Sequence, residues 1–252
     1  MDKNIVVVMP AYNAARTLKQ TWDDLPHEII SSIILVDDGS TDDTISIAKQ
    51  LGLIVFQHNR NYGYGANQKT CYTEAIKTDA NIVVMVHPDY QYDPKLLPNL
   101  IQPILDGEAD VVLGSRMMGV SAFQQGMPWW KYIANKFLTR LENMVFNLNL
   151  SEYHTGYRAY DRKILEHINF MANSDDFIFD QEIIAQIVEA HVNIIDIPVP
   201  VRYFPEASSA NFFQSMKYGL EILGLLVRYQ MHKTHLRRSR QFEVFDKRYT
   251  KA

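Results

Sequence analysis

The chain has 252 residues, of which 47% are hydrophobic and 21% are charged, and its formal net charge is −4. This composition fits one large α/β domain or two small domains and excludes a wholly disordered protein. Cys71 is the only cysteine, which excludes an intramolecular disulfide, and no apolar run approaches the roughly 20 residues that cross a bilayer.

Apolar, strand-like runs alternate with helix-like segments through the first half of the chain. This alternation predicts a mostly parallel sheet with right-handed crossovers, the α/β class. A helix is predicted from about residue 66 to 78, and Pro94 stands at a favoured first-turn position of another. The predicted strands span residues 5–9, 33–36, 53–56, 82–86 and 111–113.

Polar residues follow the first two predicted strands. The first strand leads into Pro10, Tyr12 and Asn13, and the second ends in Asp37 and Asp38. Two adjacent carboxylates are costly to hold together without a cation or a donor-rich ligand. A nucleoside supplies such donors through its base N–H groups and ribose hydroxyls. Residues 40–42 (Ser-Thr-Asp) also fit a plain helix N-cap, so they add little to this interpretation.

A glycine-bearing loop at residues 58–67 follows the third predicted strand and enters a helix. Gly63 and Gly65 would let backbone N–H groups approach a phosphate at the helix N-terminus. The loop lacks the Gly-Lys-Ser/Thr ending of a P-loop and the glycine spacing of a dinucleotide-binding turn.

The fourth predicted strand, residues 82–86, is apolar on both faces, as is typical of a central strand in a covered sheet. If the chain stays extended beyond Val86, His87, Asp89 and Gln91 point to one side of the sheet's carboxyl edge. These three side chains are candidate metal ligands. The alternative is an ordinary polar turn after a strand.

Five motifs in order resemble those of family 2 glycosyltransferases, at residues 10–13, 36–42, 61–65, 89–91 and 114–116. The resemblance extends over about residues 5–205 and is closest to the dolichyl- or polyprenyl-phosphate hexose synthases. It implies a GT-A fold and an inverting transfer from a UDP- or GDP-linked hexose that uses a divalent metal, Mn²⁺ or Mg²⁺. It also assigns nucleotide-sugar binding to Pro10, Tyr12, Asn13, Asp37, Asp38, Gly65, Asp89 and Arg116.

His87 departs from the family pattern, which usually has an Asp two residues before the position matching Asp89. Imidazole is a competent ligand for Mn²⁺ but suits Mg²⁺ poorly, so the metal preference is expected to shift. The alternative is that the site has lost its metal and its activity.

Residues 154–160 resemble the family's Thr/Ser-Gly-Phe-Arg segment and imply an acceptor site at Thr155 and Gly156, with Arg202 further along. Arg158 offers a forked donor for phosphate; the alternative is a structural ion pair with a helix carboxylate.

Asp180 resembles the acidic residue that lies near the acceptor in the family. With a hydroxyl acceptor it would serve as the general base. A lipid phosphate is already an anion, so with that acceptor Asp180 would only position groups. A further alternative is that Asp180 caps the helix that starts beyond it.

Two later helical patterns carry broad apolar stripes. The first begins near Trp129, and its stripe is expected in the core: Ile133, Phe137, Leu141, Met144 and Leu148.

The second helical pattern begins at Phe212 and leads into a basic tail. Residues 228–252 hold eight Lys/Arg and two Asp/Glu, a net +6, which leaves −10 on the first 227 residues. This pattern fits a helix in a membrane interface, or one packed on its own domain or in a dimer seam. Nucleic-acid binding is disfavoured, because the body is acidic and no recognition motif occurs.

The predicted organisation is a GT-A domain at residues 1–210, with a nucleotide-sugar-binding half (1–116) and an acceptor half (117–210), followed by an amphipathic helix and basic tail at 211–252. The expected activity is hexosyl transfer to a polyprenyl phosphate-type lipid in the cytoplasm, peripherally at the inner face of the membrane, for glycolipid or cell-wall biosynthesis. Three alternatives stay open. The first is a transferase with a soluble or cell-envelope hydroxyl acceptor. The second is a sugar-nucleotide pyrophosphorylase, which shares the sheet type, although no Gly-rich, Arg/Lys-bearing segment follows the first strand. The third is a catalytically decayed nucleotide-sugar-binding protein.

Overall fold

A single seven-stranded sheet runs through the protein. The computed structural model describes residues 3–119, 126–200 and 212–243. The strands are β1 (Ile5–Ala11), β2 (Ser32–Asp37), β3 (Ile54–Gln57), β4 (Ile82–Met85), β5 (Val111–Ser115), β6 (Arg158–Asp161) and β7 (Ile194–Pro198). Their spatial order is β3-β2-β1-β4-β6-β5-β7.

The predicted parallel sheet is confirmed for β1, β2, β3 and β4, which pair in parallel, as do β5 and β7. The sequence did not predict β6, which lies antiparallel between β4 and β5. Its first residue, Arg158, is in register with Met85 and Leu113, the last residues of β4 and β5 that pair with β6. The segment before β6 therefore lies at the carboxyl edge of the sheet, where the predicted site residues also lie.

Eight α-helices in the described part of the chain cover both faces of the sheet: α1 (Leu18–Asp23), α2 (Thr44–Gln50), α3 (Tyr64–Lys77), α4 (Leu97–Leu105), α5 (Trp129–Phe146), α6 (Arg162–His167), α7 (Phe179–Glu189) and α8 (Phe212–Lys233). Alternate residues of β1 belong to different cores. Val6 and Val8 pack with residues of α3, α7 and α8, whereas Val7 and Met9 pack with α1 and α4. Covering on both faces explains why the central strands are apolar throughout.

The core assignment of the α5 stripe was wrong for three of its five residues, whereas Leu141 and Leu148 are partly buried and pack against the core. Ile133, Phe137 and Met144 are 57%, 58% and 71% exposed. The covered face of α5 instead includes polar residues such as Asn135, which donates to the buried Glu152 carboxylate (2.8 Å). Helical periodicity shows which residues share a face, but it does not show which face the rest of the chain covers.

Helix α8 buries one face and exposes the other. Ile222, Leu225 and Tyr229 are buried in the core, whereas Met216 and Leu220 are more than half exposed. Within the described ranges no helix is long and apolar enough to cross a membrane.

Candidate active site

Two adjoining cavities open at the carboxyl edge of the sheet. Cavity A, about 500 Å³, lies beyond β1 and is lined by Pro10, Ala11, Tyr12, Asn13, Ala14, Thr17, Asp38, Asn61, Gly63, Tyr64, Asn67, His87, Pro88, Asp89, Asp176 and Phe177. Cavity B, about 230 Å³, lies beyond β4, β5 and β6 and is lined by Tyr64, His87, Asp89, Gln91, Tyr92, Arg116, His154, Thr155, Gly156, Phe177, Asp180, Gln214, Ser215 and Tyr218. Tyr64, His87, Asp89 and Phe177 line both, so the two cavities meet at these four side chains.

The chain turns after β4 instead of staying extended, which corrects the geometry expected for the metal ligands. The strand ends at Met85, a turn follows at Pro88 and Asp89, and Tyr90 has a φ of 59°. Asp89 closes the turn by accepting from the Gln91 backbone N–H (3.1 Å). The turn nevertheless brings His87, Asp89 and Gln91 to the wall of cavity B.

Tyr64 connects the two cavities to Asp180. Its ring stacks on His87, with centroids 5.6 Å apart and planes at 6°. Its hydroxyl donates to Asp180 Oδ2 (2.8 Å) and lies 3.3 Å from His87 Nε2. Burial, followed by the charge of Asp180, raises the pKa of Tyr64 well above its usual value, so the hydroxyl keeps the proton that it donates.

Burial also shifts the two central titrating groups. It lowers the pKa of His87, although the Asp89 and Asp180 carboxylates oppose this shift. It raises the pKa of Asp89, with His87 opposing. A neutral imidazole keeps a ring nitrogen lone pair, which a metal ligand requires.

Asp180 is held on both carboxylate oxygens. Gln68 Nε2 donates to Oδ1 (3.0 Å), Tyr64 donates to Oδ2, and the Arg158 guanidinium lies 3.5 Å from Oδ1. Its side chain does not cap α7, so the helix-cap alternative is wrong. Of the remaining roles, this set of donors suits a carboxylate that positions its neighbours.

Arg158 forms the ion pair that was one of the two alternatives, and the expected contact with phosphate is not possible in this arrangement. Its side chain is completely buried and does not line either cavity. Besides Asp180 Oδ1, the guanidinium donates to the backbone carbonyls of Thr155 (2.6 Å), Asp180 (2.9 Å) and Tyr153 (3.2 Å). Arg158 thereby ties the segment before β6 to α7.

Arg116 does line cavity B, but its charge is paired. Nε donates to Glu152 Oε1 (2.9 Å), and the backbone N–H of Arg116 donates to Oε2 (2.7 Å). Glu152 is fully buried. The guanidinium is therefore held in place at the cavity wall by a covered carboxylate.

The adjacent carboxylates at the end of β2 are held mainly by their own loops, although Asp37 Oδ1 is buried without a hydrogen-bond partner in the described part of the chain. Asp37 Oδ2 accepts from the backbone N–H groups of Gly39 (3.1 Å) and Ser40 (2.9 Å). Asp38 accepts from the N–H groups of Tyr62 (2.9 Å) and Gly63 (3.0 Å). Backbone N–H groups therefore hold three of the four carboxylate oxygens without a bound cation or nucleoside.

The two differ in their access to a ligand. Asp38 lines cavity A, whereas Asp37 is fully buried and does not line it. The contact expected between Asp37 and a nucleoside is therefore corrected to a structural role in the turn after β2.

Gly65 is required by a close backbone approach rather than by a phosphate. Its N–H donates to the Asp175 carbonyl (2.8 Å), and an added Cβ would lie 2.8 Å from the Cβ of Phe179. Ala66 N–H also points to the Asp175 carbonyl (3.3 Å). The N–H groups expected to bind phosphate are thus used within the protein, and Gly65 does not line cavity A.

The remaining residues predicted to bind the sugar donor, Pro10, Tyr12 and Asn13, line cavity A. Pro10 lies in β1, and Tyr12 beyond it is 52% exposed. Asn13 accepts from the Thr41 N–H (2.9 Å), which ties the end of β1 to the turn after β2. Arg202 lies outside the described residues.

Thr155 and Gly156 line cavity B, next to His87. A Cβ on Gly156 would lie 2.6 Å from both Cδ2 and Nε2 of His87. A side chain at this position would displace the imidazole from the junction of the cavities.

Gly156→Ala is accordingly expected to lower kcat/KM by about 10²-fold, because displacing a site group by about 1 Å has an effect of that size. The measurement is steady-state nucleotide release from a sugar donor. Gly224→Ala is the matched control: nothing lies within 4 Å of its added Cβ, and the rate should be unchanged. Equal rates for both variants and the parent would mean that the position of His87 is not important.

Several residues that line the cavities were not predicted from the sequence. Tyr64 lies within the glycine-bearing loop at residues 58–67, but only the glycines of that loop indicated a function. Tyr92, His154 and Phe177 gave no separate signal. Gln214 and Tyr218 come from α8, and only the long-range packing of that helix brings them to cavity B.

The fold is that of a GT-A glycosyltransferase. A family model described as Glycosyl transferase family 2 matches residues 6–169, more than half of the chain, and the protein belongs to this family. One solved structure similar to the chain is glucosyl-3-phosphoglycerate synthase from Mycobacterium tuberculosis in complex with Mn²⁺, UDP and glucosyl-3-phosphoglycerate. The TM-score is 0.68 at 18% identity, covering 90% of this chain and 80% of that one, which shows likeness of fold alone.

Two sequence relatives extend over most of the chain. UDP-N-acetylglucosamine–dolichyl-phosphate N-acetylglucosaminyltransferase of Methanococcus voltae is 26% identical over 219 residues, 80% of this chain and 87% of that protein. Polyprenol monophosphomannose synthase of Mycolicibacterium smegmatis is 24% identical over 202 residues, 77% of this chain and 76% of that protein.

Proposed function

We propose that the protein transfers a hexosyl group, with inversion, from a UDP- or GDP-linked hexose to a polyprenyl phosphate. The observation that carries this proposal is the meeting of two cavities at Tyr64, His87, Asp89 and Phe177. A transferase needs such an arrangement, because the acceptor must reach the anomeric carbon of the bound donor from a separate site. The named activities of the two sequence relatives, both on polyprenyl-type phosphates, support the choice of acceptor.

In this proposal cavity A holds the nucleotide. Pro10, Tyr12, Asn13 and Asp38 would contact the nucleoside, and cavity B would receive the acceptor phosphate beside Arg116, Thr155 and Gly156. A phosphate oxygen attacks the anomeric carbon as the bond from that carbon to the diphosphate oxygen breaks, and the nucleoside diphosphate leaves. Asp89 stands at the junction of the cavities, next to the group that departs.

The residues at the junction fit a divalent metal that is shared with the substrate. Among the described residues no group of three or more His, Cys, Asp and Glu is arranged to hold a metal ion by itself. Mg²⁺ and similar ions are commonly held by one or two protein carboxylates together with substrate phosphates. Asp89 and Gln91 would supply oxygen ligands and His87 a nitrogen, which favours Mn²⁺. The metal would stabilise the charge that develops on the leaving diphosphate.

The state of Asp180 favours a lipid phosphate over a hydroxyl acceptor. A hydroxyl acceptor must lose a proton to a general base, and Asp180, in the wall of cavity B, is the carboxylate that would accept it. Both of its oxygens are engaged by Gln68, Tyr64 and Arg158. An anionic phosphate needs no base, so a positioned carboxylate is sufficient.

The test is nucleotide release from UDP- and GDP-hexoses, with Mn²⁺, Mg²⁺ or a chelator, in the presence and absence of a soluble short-chain polyprenyl phosphate. We expect release that requires metal, is faster with Mn²⁺ and rises with the prenyl phosphate; the anomeric configuration of the product, read by NMR, would report inversion. Release that ignores the prenyl phosphate and is abolished by Asp180→Asn would indicate a hydroxyl acceptor. Donor binding without release would indicate a decayed enzyme.

A polyprenyl acceptor also implies peripheral attachment to a membrane. Helix α8 contributes Gln214 and Tyr218 to cavity B and carries exposed apolar residues on its other side. The predicted interfacial helix is therefore part of this proposal.

A further inference from the structure

Helices α5 and α8 both expose many apolar residues, whereas the sequence predicted an exposed apolar face for α8 alone. Helices α5 and α8 contact each other, with Leu138 close to Gly219 and the ring of Phe146 against that of Tyr229 (5.1 Å). Since 138 and 146 of α5 meet 219 and 229 of α8, the helices run in the same direction. Monomeric proteins seldom expose large contiguous apolar areas without a partner.

The exposed side of α5 is apolar and basic. Trp129 is 65% exposed, and Ile133 and Phe137 follow it at helical spacing. Lys136 and Arg140 are exposed on the same side of the helix, whereas its Glu142 is fully buried on the other side. Apolar and aromatic side chains interspersed with basic ones, without acidic ones, are typical of a helix lying in an anionic membrane interface.

The exposed side of α8 continues this character. Phe213, Met216, Leu220, Leu223 and Val227 are exposed and recur at helical spacing. At the end of this row a cleft of about 470 Å³ is lined by Arg228, Arg237 and Arg238 together with Val227 and Met231. Arg228 pairs with the buried Glu182 (2.9 Å), while Arg237 and Arg238 are exposed.

We propose that the exposed faces of α5 and α8, with the Arg237–Arg238 cleft, form one docking surface for an anionic phospholipid bilayer. The apolar rows enter the interface and the arginines bind lipid headgroup phosphates. This inference rests on the proposed lipid acceptor: Gln214, Ser215 and Tyr218 of α8 line cavity B, so the helix that docks is also a wall of the cavity proposed to receive the acceptor.

A bilayer fits this surface better than a second copy of the chain. A symmetric contact across the α5 face brings Lys136 and Arg140 of one copy close to the same basic pair of the other, and like charges repel. An anionic surface instead neutralises these residues and the two arginines of the cleft, and the acidic body of the protein would be kept away from the membrane.

The experiment is flotation of the purified full chain with vesicles of phosphatidylcholine, alone or mixed with phosphatidylglycerol, without donor or acceptor. The protein should bind the mixed vesicles, and binding should weaken as salt is raised. Arg237→Gln/Arg238→Gln should weaken it by about 30-fold, since each basic residue near an anionic surface contributes about fivefold. Leu220→Ser and Phe137→Ser should each weaken it by about tenfold or more.

Matched controls lie on other faces. Leu105→Ser changes an exposed leucine of α4, and Lys49→Gln removes an exposed charge from α2; both should bind vesicles like the parent. Brominated lipid should quench the fluorescence of Trp129, and Trp129→Phe should abolish that part of the quenching. Equal binding by all variants, no binding by the parent, or a dimer that Phe137→Ser dissociates in the absence of vesicle binding would overturn the proposal.

The two proposals fail separately. The surface variants should retain activity with a soluble short-chain prenyl phosphate and lose it with a long-chain acceptor embedded in vesicles. A parent protein that binds vesicles but transfers no sugar to either acceptor would overturn the proposed function and leave the docking surface standing. Full activity of the variants on the vesicle-embedded acceptor would overturn the inference that docking is needed for transfer to a membrane lipid.

Discussion

Asp89→Ala is expected to lower kcat/KM for nucleotide release by about 10²- to 10³-fold, the usual effect of removing one group that stabilises developing charge in an enzyme site. Asp89 is the carboxylate that stands where the two cavities meet, next to His87 and Gln91. Its bond to the Gln91 N–H is local to one turn, so the free energy of unfolding should change by less than about 1 kcal/mol. Steady-state kinetics and thermal unfolding measure the two effects.

The control for this variant is Asp106→Ala. Asp106 is an exposed carboxylate at the end of α4 that accepts from Gln102 (2.9 Å), and its loss should leave the rate unchanged. A titration with Mn²⁺ adds a second readout, because Asp89→Ala should also raise the metal concentration needed for half-maximal rate. An Asp89→Ala variant with the activity and metal response of the parent would sink the assignment of the metal to this turn.

Arg158→Met is expected to destabilise the fold by about 3–5 kcal/mol, because it removes one partner of a buried ion pair and leaves Asp180 uncompensated. Three backbone carbonyls also lose their donor. For a chain of this size, such a loss corresponds to a fall in Tm of roughly 10 °C. Urea unfolding followed by circular dichroism measures the change.

A double-mutant cycle separates this ion pair from general packing. Arg158→Met/Asp180→Asn should be less destabilised than the sum of the single variants, with a coupling of about 1–3 kcal/mol. Arg140→Met, an exposed arginine of α5, should change stability by no more than about 0.5 kcal/mol. Strict additivity in the cycle would show that the 3.5 Å pair is unimportant for the fold.

The fold class was predictable because it depends on local pattern. Apolar runs of strand length alternate with capped helical segments, and the buried runs around Val7 and Val84 left little choice but a covered parallel sheet. The antiparallel β6 escaped prediction, since Arg158–Asp161 is only four residues long and begins with a charged residue.

The residues that line the cavities were more predictable than the hydrogen bonds that these residues make. The strand-end motifs named Asp38, Asp89, Thr155 and Gly156, all of which line a cavity. The same motifs gave no means of telling that the N–H groups near Gly65 are used by the Asp175 carbonyl. Motif residues are recognised one by one, whereas the partner of each polar group is set by a segment far away in the chain.

The sequence by itself therefore determined the parallel part of the sheet, the family and the polar edge at which chemistry is expected, because strand period and strand-end residues are local properties. Only the tertiary structure decided that Arg158 is locked against Asp180, that Tyr64 joins the two cavities, and that α5 exposes Phe137. Those outcomes depend on which surfaces meet after the chain has folded: helical periodicity defines a face, and packing decides whether that face is covered or left for a partner.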